Sequence, residues 1–459
     1  MGRPRLDRLS AQDEHILALE HGAVVGHWCK VLVVDTPLDV SRLRAVIGAR
    51  LGAAPRLHQR LEFLPRGLGR PVWVEDPDFD LAWHVAPVEV SAPLDDAALR
   101  RLVASRMQER LDRRRPLWRL EVAPLRDART ALLWRVHHCM ADGFTAMRIG
   151  STCIWGDVPE APPPAPPPGG VSDSRGALLG AAALDRCATA AREARALLRD
   201  LGAARHWRDG VSQARAVASS ARRELRAAPV ATWFDSPLGR HRAVAWRVLP
   251  LAAVHDAAKH VGPGVTLNDA MVALVASGVG AWLAGRGRAA QPLRVRIPVS
   301  LHAAGDAASG NRDSFIDVDV PLDGENVIAR LRAINAQTTA RKAAHDAEHV
   351  DDVLRVLGAM PFGAHLVAMS DGAQHFSLCI SNVVGPRQPI AIDGAAVTAL
   401  HSVVEVAQHH DLRASVISCA DRLSLSLCAD SDRVDPELVM RGVDSAWETL
   451  SRGAGVAVS

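Results

Sequence analysis

Apolar and polar positions along the chain change period several times, and each change marks an element. Val24 to Val34 is strand-like. Asp95 to Arg110 places Leu99, Leu102, Val103 and Met107 on one side at helical spacing. From Arg119 to Val136 the pattern predicts a hairpin, with Asp127-Ala128-Arg129 turning between Leu120-Glu121-Val122 and the strand Ala131 to Val136. Farther on, Val261 to Ala284 reads as mostly helical, with Met271 to Leu283 as a buried apolar run. Leu293 to Ile297 and Ile316 to Val320 alternate as strands, and a helix runs from about Val327 to Asp346. Ala414 to Cys419 and Leu423 to Cys428 form a second predicted hairpin around Asp421-Arg422, before a last helix from Pro436 to Leu450. The mixture predicts an α/β (α+β) fold.

Proline interrupts this pattern once. The stretch 159–170 cannot be helix or central strand, because proline lacks the N–H and fixes φ, and it predicts a stiff linker. The following span 173–226 is alanine-rich and carries 11 Arg and no Lys against six acidic residues. Its two readings are a solvated helix face packed on the body, or a basic surface for CoA phosphates or an anionic membrane. The expected organisation is therefore an N-terminal domain over 1–158, a linker and Arg-rich segment over 159–230, and a C-terminal domain over 231–459. A chain of 459 residues exceeds what one hydrophobic core usually serves.

Charge and cysteine content narrow the function. With 54 Lys+Arg against 51 Asp+Glu, the net charge of +3 is too even to predict a nucleic-acid partner. The seven cysteines are scattered, with no Cys-x-x-Cys pair and no zinc-spaced histidines beside them, which predicts reduced thiols, a cytoplasmic location and no metal. Residues 1–14 are charged throughout, without the apolar core of a signal peptide, and no window offers the run of roughly 20 apolar residues that a spanning helix needs. Lipid contact, if made, would be peripheral.

The chemistry is expected at His137-His138-Cys139-Met140-Ala141-Asp142-Gly143, directly after a predicted strand. An alcohol is a poor nucleophile near neutral pH, and an imidazole can take its proton as it attacks an acyl carbonyl. Strand alternation sends His137 and His138 to opposite sides, and His138 is the candidate base. Asp142 is expected to shape the turn and pair with an Arg, and Gly143 to allow a close backbone approach at a helix start. A bare His-His pair is more often a satisfied pair of core histidines. The four-residue pattern, at ordinary residue frequencies, arises by chance in roughly one chain of this size in several hundred.

These residues carry a resemblance. The His-His-x-x-x-Asp-Gly motif resembles that of acyltransferases with the chloramphenicol acetyltransferase-like fold, a group that includes peptide-synthetase condensation domains. More specifically, the chain resembles the bacterial wax ester synthase/diacylglycerol acyltransferases. The block Pro116-Leu117-Trp118, the stretch Trp73 to Asp80 followed by His84, and Asn268-Asp269, Pro298-Val299-Ser300, Gly310-Asn311 and Ser381-Asn382-Val383-Val384-Gly385-Pro386 follow in that family's order. The resemblance implies two chloramphenicol acetyltransferase-like domains of mixed sheets flanked by helices, with a substrate channel between them. It implies acyl-CoA as donor, not cofactor, a fatty alcohol or diacylglycerol as acceptor, His138 as base, and Asn268 as part of the site or its support. Products insoluble in water imply peripheral contact with a membrane or lipid droplet. Three departures bear on the acceptor pocket: Ser418-Cys419 where Ser-Tyr is usual, Val384 in place of a second proline, and Phe234-Asp235 where Leu-Asn is common.

Three alternatives remain at this level. Cys139 could be an acylated nucleophile, although alternation points its side chain away from that of His138. The donor could be an acyl group on a carrier protein, as in a condensation enzyme. The chain could also bind lipid without turnover.

Overall fold

A computed structural model describes residues 6–65, 69–155, 237–288, 291–300, 313–323, 326–346 and 376–455, with residues 176, 179–180 and 183–184. The proline-rich stretch 159–170, almost all of the Arg-rich span 173–226, Phe234-Asp235 and Gly310-Asn311 lie outside the described residues.

The first half of the chain supplies α1 (Ala11–Leu19), β1 (His27–Val34), α2 (Val40–Arg50), β2 (Gln59–Glu62), β3 (Val72–Glu75), α3 (Leu81–His84), β4 (Val85–Pro87), α4 (Asp96–Arg106), β5 (Trp118–Pro124), β6 (Thr130–His137) and α5 (Gly143–Ile149). β1, a strand as expected, lies inside a six-stranded sheet, and all eight of its residues are buried, His27 and Lys30 included. The hairpin β5–β6 turns through Asp127 and Ala128 with φ of 58° and 55°, the left-handed pair that matches the twist of its strands. One face of this sheet packs Trp28, Leu32, Trp134 and Val136 against Leu43 and Ile47 of α2. The other packs Cys29, Val31 and Leu133 against Leu99 and Val103 of α4.

The later chain supplies β7 (Arg242–Pro250), α6 (Leu251–Val261), α7 (Leu267–Ala284), β8 (Leu293–Ser300), β9 (Asp313–Val320), α8 (Val327–Ala343), β10 (Leu378–Val383), β11 (Ala391–Ile392), β12 (Ala395–Val404), β13 (Leu412–Cys419), β14 (Arg422–Asp430) and α9 (Pro436–Gly453). The second sheet has the order β7-β14-β13-β10-β8-β9 and is mixed, with β10 parallel to both β8 and β13. Its helix-side residues, Leu378, Ile380, Leu412, Ala414, Val416, Leu423, Leu425 and Leu427, form one core with α6 to α9. α7 and α9 cross backbone to backbone: a Cβ on Gly442 would lie 2.8 Å from the Cα of Gly278.

Two details depart from the sequence pattern. The helical stretch expected to begin at Val261 is two helices, the first of which ends there, because Gly262-Pro263-Gly264 breaks the turn before Thr266 caps the second. The first sheet also runs β11-β12-β1-β6-β5-β4, so β11 and β12 leave the C-terminal domain expected over 231–459 and pair into the N-terminal one. The physical reason is the eight-residue, mostly apolar edge that β1 would otherwise present to water. The architecture is two mixed sheets flanked by helices, with a seam between them where β12 meets β13 and β14.

Candidate active site

β6 ends at His137, and alternation there sends the two histidines apart. His137 turns inward and is fixed on every side. Its N–H donates to Leu117 O at 2.9 Å, and its Nδ1 accepts from Cys139 N–H at 3.1 Å. That leaves the proton on Nε2, which donates to Glu20 Oε2 at 3.2 Å. Glu20 is held in turn by Arg113 at 2.6 Å and Arg110 at 3.3 Å. Burial pushes the Glu20 carboxyl up, but the His137 and Arg113 contacts outweigh it and leave it below the ordinary range. Gly26 makes room for this ring: its φ is +74°, and a Cβ there would occupy the place of His137 Nε2.

His138 turns the other way, to the face that carries Trp28, Trp134 and Val136. The residue is partly exposed while its Nε2 is enclosed, and its N–H donates to Gly26 O at 2.8 Å. Burial first, then the positive charge of Arg413, holds its pKa well below the ordinary value, so the imidazole is neutral at pH 7. Cys139 is buried, and burial raises its thiol pKa well above the ordinary value. A protonated, enclosed thiol is a poor nucleophile.

Asp142 caps α5: its Oδ1 accepts from Thr145 N–H at 2.7 Å, and the side chain is buried. Gly143 follows, and a Cβ there would stand 2.6 Å from Cγ2 of Val383. This contact joins the histidine motif to the Ser381-Asn382-Val383 strand of the other sheet. Alternation puts Ser381 on the same face as Val383, with its Oγ buried and without a hydrogen-bond partner, and turns Asn382 to the opposite face. Just beyond, the N–H of Gly385 donates to Ser418 Oγ at 3.1 Å, so Ser418 anchors the loop after β10. Cys419 lines a cavity of about 240 Å³ with Val248, Thr398, Leu400 and Ser424, at the end of β13 away from Arg413.

The remaining motif residues support this centre. The carbonyl of Leu117 orients His137, while Trp118 stacks on His84 at 4.5 Å and donates from Nε1 to Leu57 O at 2.6 Å. The carbonyl of Pro116 accepts from Trp118 N–H. Asp269 closes a capping box with Thr266 and accepts from Asn335 and Thr338 of α8, tying two helices together. Asn268, beside it, has a buried Oδ1 without a hydrogen-bond partner. Sequence reasoning missed Glu20, Gly26, Lys30, Glu405 and Arg413. A lysine inside the apolar run of β1 and an arginine inside β13 were the available signals.

Two helix-flanked sheets meeting at a histidine that is neutral and partly open define the class of chloramphenicol acetyltransferase-like acyl-transfer folds. Residues 9–271 match the model of the wax ester synthase/diacylglycerol acyltransferase catalytic domain, and residues 309–451 match that family's C-terminal domain. The chain belongs to this family of acyltransferases. It is 30% identical over 472 residues to a putative diacylglycerol O-acyltransferase of Mycobacterium tuberculosis, covering 96% of this chain and 94% of that one. A probable diacylglycerol O-acyltransferase of the same organism is 28% identical over 437 residues, covering 91% and 89%. Among solved structures, the wax ester synthase/diacylglycerol acyltransferase of Marinobacter aquaeolei VT8 matches with a TM-score of 0.66 at 21% identity, over 98% of this chain and 100% of that one. A starter condensation domain of rhizomide synthetase, in complex with C8-CoA and Leu-SNAC, matches with a TM-score of 0.62 at 16% identity, over 99% and 95%.

Proposed function

We propose that this acyltransferase moves a fatty acyl group from acyl-CoA to the hydroxyl of a fatty alcohol or diacylglycerol, with His138 as general base. The observation that carries the assignment is the division of labour in the pair: His137 is spent on Glu20 and Cys139 N–H, whereas His138 is neutral and partly open to the seam. His138 takes the hydroxyl proton as the oxygen attacks the thioester carbonyl carbon. The tetrahedral intermediate collapses, the C–S bond breaks, and the imidazolium returns the proton to the CoA thiolate, leaving an ester, free CoA and neutral His138.

Release of CoA thiol from palmitoyl-CoA, with and without hexadecanol or diacylglycerol, tests the proposal beside His138→Ala. The expected result is acceptor-dependent release that falls by roughly 100- to 10,000-fold in the variant. Unchanged release in His138→Ala would remove the base assignment. Transfer from an acyl-pantetheine carrier but not from CoA would favour a condensation-type donor.

Peripheral lipid contact belongs to the same reading. Phe144 and Val384, 42% and 70% exposed, flank the Gly143–Val383 contact and give the seam an apolar rim for a water-insoluble acceptor. Flotation with vesicles should weaken when both are changed to serine. Equal flotation would place lipid contact elsewhere.

A further inference from the structure

Two basic side chains, Lys30 and Arg413, face the seam with no ion pair among the described residues. Lys30, in the middle of β1, is 2% exposed, and burial lowers its pKa to about 7, where an anion alongside would favour the charged form. Its Nζ donates to Ser402 Oγ at 2.5 Å and lies 5.2 Å from the Trp28 ring centre. Arg413, on β13, has a buried Nε without a hydrogen-bond partner. Among the described residues no ion pair joins either one to a carboxylate, whereas Arg294, Arg296 and Arg135 each pair with an Asp or Glu. A buried charge is costly unless it is paired.

The two basic groups share one surface. Ser402 O accepts from Ser415 Oγ, and Ser415 stands two residues after Arg413 on the same face of β13. Register sets Ser381, with its unpartnered hydroxyl, beside Ser415. His138 opens onto this surface: after burial, Arg413 is the largest influence holding its imidazole neutral, and Lys30 adds to it. Glu405 is the carboxylate on which Arg413 acts, but its Oε2 accepts from the amides of Val25 and Gly26 at 3.0 and 2.6 Å. Burial raises that carboxyl to about 7, which weakens it as a counterion.

We propose that Arg413, with Lys30 and the Ser381 hydroxyl, forms an anion-accepting subsite beside His138 that receives a carboxylate or phosphate carried by the acyl acceptor. The phosphates of CoA are the other source of that chemistry. The whole pantetheine arm separates them from the thioester, so they lie far from a subsite that adjoins the base. The proposal rests on the reading of the seam as the reaction site, and it selects among acceptors by charge as well as by chain.

Titration calorimetry of the full chain with 10-hydroxydecanoate and 1,10-decanediol tests it, because the two differ in one carboxylate. The hydroxy acid should bind roughly tenfold tighter than the diol, a preference that collapses in Arg413→Gln and survives in Arg413→Lys. Thermal melts of both variants check the fold. Equal binding of the two compounds by the wild-type protein, or a full preference in a folded Arg413→Gln, overturns the subsite. A parallel titration with CoA and pantetheine separates the sources: loss of CoA binding alone in Arg413→Gln overturns the acceptor assignment in favour of the donor phosphates. These titrations need no turnover. Intact preference in a protein that releases no thiol would therefore count against the acyltransfer reading and leave the subsite standing.

Discussion

The second sheet has two faces built from the same strands by different rules. Toward α6 to α9 it presents Leu378, Ile380, Leu412, Val416, Leu425 and Leu427, all fully buried. Toward the first sheet the alternate positions are Cys379, Ser381, Arg413, Ser415, Ser424 and Ser426. The first face buys stability with shape and apolar area. The second leaves hydroxyls such as those of Ser381 and Ser426 buried without partners and places an arginine among them. A period of two lets one strand serve a core and a site at once.

The comparison can be broken most sharply at Gly143. Alanine is the better helix former, so on propensity alone Gly143→Ala should be harmless or helpful. The clash with Val383 should instead misplace the seam and lower acyl transfer by roughly tenfold to a hundredfold. Adding Val383→Ala should restore most of it, and failure of that rescue would show that the seam is not set by this contact. On the helix face, Leu425→Ala should cost about 2–5 kcal/mol in denaturant unfolding and leave turnover per folded molecule within about twofold. A large loss of turnover there would mean that the two faces are not independent.

A smaller effect separates the faces by pH. His401 faces the seam, bonded to Ser424 Oγ and stacked on Trp246, and burial lowers its pKa to about 4. A lowered histidine pKa means that the unfolded chain binds the proton first. Its contribution is therefore present above pH 6.5 and lost as pH falls toward 4, by about 1.4 kcal/mol for each pH unit. Unfolding midpoints of wild-type and His401→Phe protein, followed from pH 7 to pH 4, should converge. Parallel curves would remove His401 as the titrating group.

Much of this was legible in the sequence because periodicity reports burial. The hairpin around Asp127-Ala128, the one around Asp421, the buried strand at Val31 and the last helix from Pro436 all follow from local pattern and turn chemistry. The histidine motif and its position after a strand were equally local. Long-range partners were not: nothing near Glu20 announces that it will hold His137, and nothing at Ala395 to Val404 says that this strand joins the far sheet. Lys30 and Arg413 were missed: a basic residue inside a strand was their one local signal, and their lack of ion pairs among the described residues emerges only where the two sheets meet.

The loan of β12 to the first sheet also orders events during synthesis. The histidine motif is complete by residue 143, yet β1, the strand that carries Lys30 and pairs with β6, has its other neighbour only after Val404 has been made. Until then a mostly apolar strand has one open edge on the nascent chain, the kind of surface that recruits foreign strands. The closing contact spans nearly the whole polypeptide, a separation that slows folding. The first sheet therefore cannot close until residue 404 has been made, although its histidine motif is complete at residue 143.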